Sequence, residues 1–110
     1  MSRDDLEAAA DRAALAAVLD ARGRHREALE MLRGVLSTLE QVLGPDHYEV
    51  GLTLSDFAEM QLAAGRFGDA HAALTRATTI FERVLGASHP TTVACRDNRE
   101  KARPGKKCGG

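Results

Sequence analysis

Gly23-Arg24-His25-Arg26-Glu27-Ala28 and Gly65-Arg66-Phe67-Gly68-Asp69-Ala70 are one stretch written twice, 42 residues apart. Each copy runs on without a gap. The first reaches Glu40-Gln41-Val42-Leu43-Gly44 and His47, and the second reaches Glu82-Arg83-Val84-Leu85-Gly86 and His89. Gly23/Gly65, Arg24/Arg66, Ala28/Ala70, Leu32/Leu74, Glu40/Glu82, Val42/Val84, Leu43/Leu85, Gly44/Gly86 and His47/His89 are identical pairs. A fixed period of this length marks stacked supersecondary units, each of which buries its apolar face on its neighbour.

Working outward, every segment reads as helix or as a turn between helices. Residues 3–22 carry Asp4, Asp5 and Glu7 at the start, where the helix dipole favours carboxylates, and Ser2 can cap them. Leu6, Ala9, Ala13, Ala16 and Leu19, with Leu15 and Val18 beside them, are expected to form one apolar face. Gly23 stops that helix, since the left-handed conformation that closes a helix costs glycine little. Residues 25–43 form a second helix, with Ala28 small where the first must approach closely. Nothing in the sequence explains Gly34 within it. Gly44-Pro45-Asp46-His47 is a tight loop in which Asp46 or His47 can cap the next helix, residues 48–64. Residues 67–85 repeat the second helix, with Leu74 on its interior face, and Pro90 opens a last one over 90–102. In that last helix Arg96, Arg99 and Glu100 replace Leu54, Phe57 and Ala58, so it reads as a polar cap on a solenoid. The expected fold is all-α, one domain over 1–103: repeat one about 3–44, repeat two about 48–86, and a capping helix about 90–102. Residues 104–110, Pro104-Gly105-Lys106-Lys107-Cys108-Gly109-Gly110, read as a disordered basic tail.

Val42-Leu43-Gly44-Pro45-Asp46-His47, Gly65-Arg66-Phe67-Gly68-Asp69-Ala70 and Val84-Leu85-Gly86-Ala87-Ser88-His89-Pro90 together resemble tetratricopeptide repeats (TPRs) of the long, kinesin-light-chain type. The resemblance covers about residues 6–100. It implies a non-catalytic protein-interaction module or small adaptor that binds a peptide in a concave groove lined by the first helix of each repeat. On this chain the implied groove residues are Leu52, Ser55, Asp56 and Glu59 in repeat two, and Ala10, Ala13, Ala14 and Ala17 in repeat one. In the capping helix they are Ala94, Asp97, Asn98 and Lys101. The family's peptide-gripping asparagine is matched by Asn98 alone, its place being taken by Asp56 and Ala14, and the Lys/Asn/Arg clamp for a C-terminal carboxylate is missing. Asp20, Asp56, Glu59 and Asp97 would then favour a basic or polar peptide.

Composition narrows the alternatives. A net charge of −1 excludes a globally basic nucleic-acid binder. The basic C-terminal tail leaves one alternative, a regulatory subunit that contacts nucleic acid through it, although the tail has no interleaved aromatics to stack bases. No apolar run is long enough to span a bilayer, and the acidic N-terminus has no signal-peptide core, so the expectation is a cytoplasmic protein without membrane contact. Cys95 and Cys108 make neither a disulfide framework nor a metal spacing. There is no nucleophile elbow, zinc-protease motif or phosphate-cradling loop, so no catalytic, cofactor or metal residue is assigned and the chain is not read as an enzyme. His47 and His89 are expected to be loop caps, and His25 and His71 to be packing and surface residues. Two repeats are few for independent stability, and the alanine stripe of the first helix would suit close packing, so self-association or docking on a larger protein is a further expectation.

Overall fold

The computed structural model describes residues 3–103. The Ser2 cap, Cys108 and the basic tail lie outside the described residues. Five helices follow one another: α1 (Arg3–Ala21), α2 (His25–Leu43), α3 (Tyr48–Ala63), α4 (Phe67–Leu85) and α5 (Pro90–Lys101). Each packs chiefly on the next in sequence, giving an all-α array of two helix–turn–helix units and a terminal helix.

The turns repeat as the sequence does. Gly23 (φ 84°) and Gly65 (φ 79°) take the left-handed conformation after α1 and α3. There the Arg24 N–H donates to the Leu19 carbonyl at 2.9 Å, and the Arg66 N–H to the Gln61 carbonyl at 2.8 Å. These bonds satisfy carbonyls that a helix end would otherwise strand. Between units, the His47 side chain accepts the Glu49 N–H at 3.0 Å through Nδ1, and His89 accepts the Thr91 N–H at 3.1 Å. The two histidines are therefore helix caps. Asp46 is not a cap; it faces Arg83 at 3.2 Å instead.

The core follows the 42-residue register. Ala16 and Ala28 in the first pair, and Ala58 and Ala70 in the second, are completely enclosed. Leu32 and Leu74 fill the same place in α2 and α4. α5 packs on α4 and buries Thr92, Cys95 and Ala102. The Thr78 hydroxyl of α4, which donates to the Leu74 carbonyl at 2.7 Å, lies 3.3 Å from the Cys95 sulfur. Arg96 of α5 stays at the edge, reaching Glu82 at 3.1 Å and the Ala87 carbonyl at 3.2 Å.

Leu15 and Val18 depart from the expectation of a single apolar face on α1. They are 47% and 48% exposed. A helical step of about 100° per residue puts Val18 opposite Ala9 and sets Leu15 at the margin, one turn before Leu19 and away from Ala9 and Ala16.

Two glycines inside helices behave oppositely. Gly51 is buried where α3 crosses α4; a Cβ there would sit 2.9 Å from a Phe81 ring carbon and 3.1 Å from Ile80 Cγ2. Repeat one has Ala9 and Leu39 at the places of Gly51 and Phe81, so the bulk is exchanged between the two helices. Gly34 faces open space. Gly51→Ala should therefore cost about 1–3 kcal/mol through overpacking against an enclosed ring, and Phe81→Leu in the same chain should recover part of that loss. Gly34→Ala should stabilise by about 0.5–1 kcal/mol through helix propensity. Urea denaturation followed by circular dichroism measures both; equal effects at the two sites would contradict the packing described.

A second mismatch lies at Gln61, the counterpart of Leu19. It is 4% exposed, and its Oε1 is enclosed without a hydrogen-bond partner among the described residues. A stranded buried acceptor is costly, so Gln61→Leu should raise stability by about 1–2 kcal/mol in the same denaturation experiment, whereas a loss would mean that the amide is satisfied in solution.

Candidate functional site

The first helices of the units, α1 and α3, pack against α2 but have little direct contact with each other. The reason is side-chain length. α1 offers Ala9, Ala10 and Ala13 toward Leu52 and Asp56 of α3, and alanines cannot reach across. A cleft of about 530 Å³ remains. Its floor is Val35, Leu39 and Leu43 of α2, and Leu6 extends the apolar wall. His47 and Glu49 lie at its α3 N-terminal end, and Asp56 lines it further along.

Asp56 is the titratable group that this setting perturbs. Its side chain is open to solvent on one side, yet the surrounding walls displace enough water to push its carboxyl above the usual aspartate range. A cation beside it would recover the lost solvation, so the cleft joins an apolar floor to a carboxylate whose charge is underserved.

The seven residues that the sequence assigned to a groove do not all line this cleft. Leu52 and Asp56 line the cleft together with Ala10 and Ala13. Ser55 turns the other way, its Oγ 3.9 Å from the Cys95 sulfur at the boundary with α5. Glu59 is exposed and lies beyond the lining of the cleft. Asp97, Asn98 and Lys101 belong to α5, outside the cleft, with Asn98 half-buried and the other two exposed. Ala14 and Ala17 are exposed and also lie outside it. Asp20, expected among the groove carboxylates, is taken up elsewhere: its Oδ1 lies 2.6 Å from His25 Nδ1 and closes the α1–α2 turn.

Sequence reasoning missed His47, Glu49 and the α2 floor. The readable signal was the run of alanines in α1 opposite the larger Leu52, which leaves space that only α2 can line. It also missed a second cleft, of about 630 Å³, on the other side of the array between α2 and α4. Leu36, Leu54, Phe57 and Gln61 form part of its lining. Its rims carry both charges: Arg76 and Glu40 meet at 3.4 Å, and the Arg33 guanidinium lies 5.9 Å from the Phe57 ring centre. Among the described residues no cluster of three or more His, Cys, Asp or Glu could hold a metal, and no helix is long and apolar enough to cross a membrane.

Comparison with known proteins agrees with this architecture. Residues 6–83 match the family model of the tetratricopeptide repeat. Protein KINESIN LIGHT CHAIN-RELATED 1 of Arabidopsis thaliana is 30% identical over 89 residues, which is 81% of this chain and 14% of that protein. Protein clueless is 35% identical over 71 residues in Drosophila ananassae and likewise in Drosophila willistoni, which is 64% of this chain and 5% of the relative. The chain thus spans only a small part of the length of these relatives. With its two units in 42-residue register, its paired cap histidines and the match over residues 6–83, the chain belongs to the tetratricopeptide repeat family, in the long form seen in kinesin light chains.

Proposed function

We propose that the chain binds a peptide segment of a partner protein in the cleft between α1 and α3, and that the segment carries Lys or Arg beside small apolar residues. Its family makes it a protein–protein interaction module. The observation that supports this reading of the site is Asp56, a carboxylate pushed above its ordinary pKa beside an apolar floor. Apolar side chains of the segment would cover Leu39, Leu43 and Leu52, while a cation would lie between Asp56 and Glu49. Direct polar contacts are few, so affinity is expected on the order of micromolar. By resemblance, Ser55, Glu59, Asp97, Asn98 and Lys101 extend the track beyond the cleft, where they would meet the outer residues of a longer segment. A cytoplasmic adaptor role fits this reading.

The test is titration with a labelled probe peptide of alternating lysine, alanine and leucine, and with its glutamate counterpart. The lysine probe should bind and the glutamate probe should not. Asp56→Lys with Glu49→Lys should abolish binding while leaving the helical circular dichroism intact, since both side chains are exposed. Glu59→Lys, outside the cleft, should weaken binding less. Equal affinity of the double charge reversal and the unmodified chain would remove the cleft from consideration.

The raised carboxyl gives the reading a pH signature. A lysine or arginine partner favours the ionised form, so binding releases whatever proton Asp56 holds. As pH falls from neutral, Asp56 takes up its proton earlier than an ordinary aspartate would, and affinity for the lysine probe should fall with it. Asp56→Asn should bind more weakly at neutral pH and lose that part of the pH dependence. Calorimetric titration in the range where carboxylates protonate reads both effects, and an unchanged pH profile in Asp56→Asn would assign the dependence to another group.

A further inference from the structure

One helical face is built as a seam and has nothing over it among the described residues. Asp4, Ala8, Asp11, Leu15, Val18 and Arg22 follow one another at steps of four and three, the spacing that keeps side chains on one stripe and that seams between paired helices use. All six are exposed. The 42-residue register shows what such a stripe does when it is covered. Its counterparts in α3 are Val50, Thr53, Phe57 and Met60 for residues 8, 11, 15 and 18, and all four are buried. There the preceding helix α2 packs on α3, and Arg33 stands over the Phe57 ring.

We propose that this face of α1 pairs with the same face of a second copy of the chain, the two helices running antiparallel about a two-fold axis. The choice of partner rests on bulk and charge. Ala8, Leu15 and Val18 are smaller than Val50, Phe57 and Met60, so the stripe suits a helix that approaches closely and is itself small-sided, as another α1 is. The charges complement themselves in one direction only. Antiparallel pairing with Leu15 of one copy opposite Val18 of the other sets Asp11 of each opposite Arg22 of its partner, at the two ends of the apolar centre. Parallel pairing would set carboxylate beside carboxylate and guanidinium beside guanidinium. A 19-residue helix is about 28 Å long, so the contact is small and the dimer is weak, with dissociation in the range of tens to hundreds of micromolar. The stripe lies on a different face of α1 from Ala9 and Ala13, so the dimer leaves the cleft between α1 and α3 open.

Sedimentation velocity on the whole chain, from about 5 μM to about 1 mM, tests this. The mass should rise with concentration from the 11.8 kDa monomer toward twice that value, and less so at high salt. Leu15→Glu with Val18→Glu should stay monomeric throughout with unchanged helical circular dichroism. Arg22→Asp should raise the dissociation constant at least tenfold, and adding Asp11→Arg should restore dimerisation. An unmodified chain that remains monomeric at 1 mM overturns the proposal. So does a dimer that survives Leu15→Glu with Val18→Glu, or one that the charge exchange fails to restore.

Discussion

The close approach of two helices over enclosed alanines is the constraint from which the rest of the array follows. Ala16 with Ala28, and Ala58 with Ala70, leave no room for a larger side chain in either unit. A buried methyl brings the helix axes near enough for Leu32 and Leu74 to fill the remaining volume. Because this contact recurs every 42 residues, the first helix of each unit falls on the same side of the array. The clefts and the outer face of α1 are consequences of that placement. The cross-unit ion pairs of Arg76 with Glu40, Arg83 with Asp46 and Arg96 with Glu82 are all substantially exposed. Exposed pairs contribute little, so packing holds the units in register.

The two units share a plan but divide its bulk differently. Where repeat one has Ala9 and Leu39, repeat two has Gly51 and Phe81. Where repeat one has Leu19, repeat two has Gln61. The first exchange conserves volume and keeps the helix crossing. The second introduces a polar group beside the cleft between α2 and α4 that the apolar copy lacks. Tyr48 packs edge-on to Phe81 at 5.8 Å, so the larger aromatics gather in repeat two and the alanines in α1. That uneven division opens the cleft between α1 and α3, because short side chains on α1 face a helix with longer ones.

α1 is consequently apolar around much of its circumference. One side packs on α2, another lines the cleft, and a third, with Leu15 and Val18, faces outward. A helix with that distribution is ordinarily covered on more than one side. α5 shows the opposite treatment at the other end, where charged residues stand in place of Leu54, Phe57 and Ala58, and Arg96 and Arg99 stay half-exposed at the margin. Among the described residues, α5 thus carries charges where α3 is apolar, whereas α1 retains an exposed apolar stripe.

The sequence by itself determined the fold. The 42-residue identity, the glycines at helix ends and the small residues at the crossings are local or periodic features, and period and turn chemistry translate directly into helices and their stacking. It also determined the caps, because a histidine one residue before a helix has a backbone N–H within reach. Four things were decided only by tertiary structure: that Leu15 and Val18 face outward, that Asp20 is spent on His25, that Ser55 turns toward Cys95, and that Leu52 and Asp56 alone of the seven assigned groove residues share a cleft. A helical repeat fixes which residues share a stripe. Which stripe meets a neighbour depends on how far helices separated in the chain stand apart, and that distance is set by side chains on α1, α2 and α3 acting together.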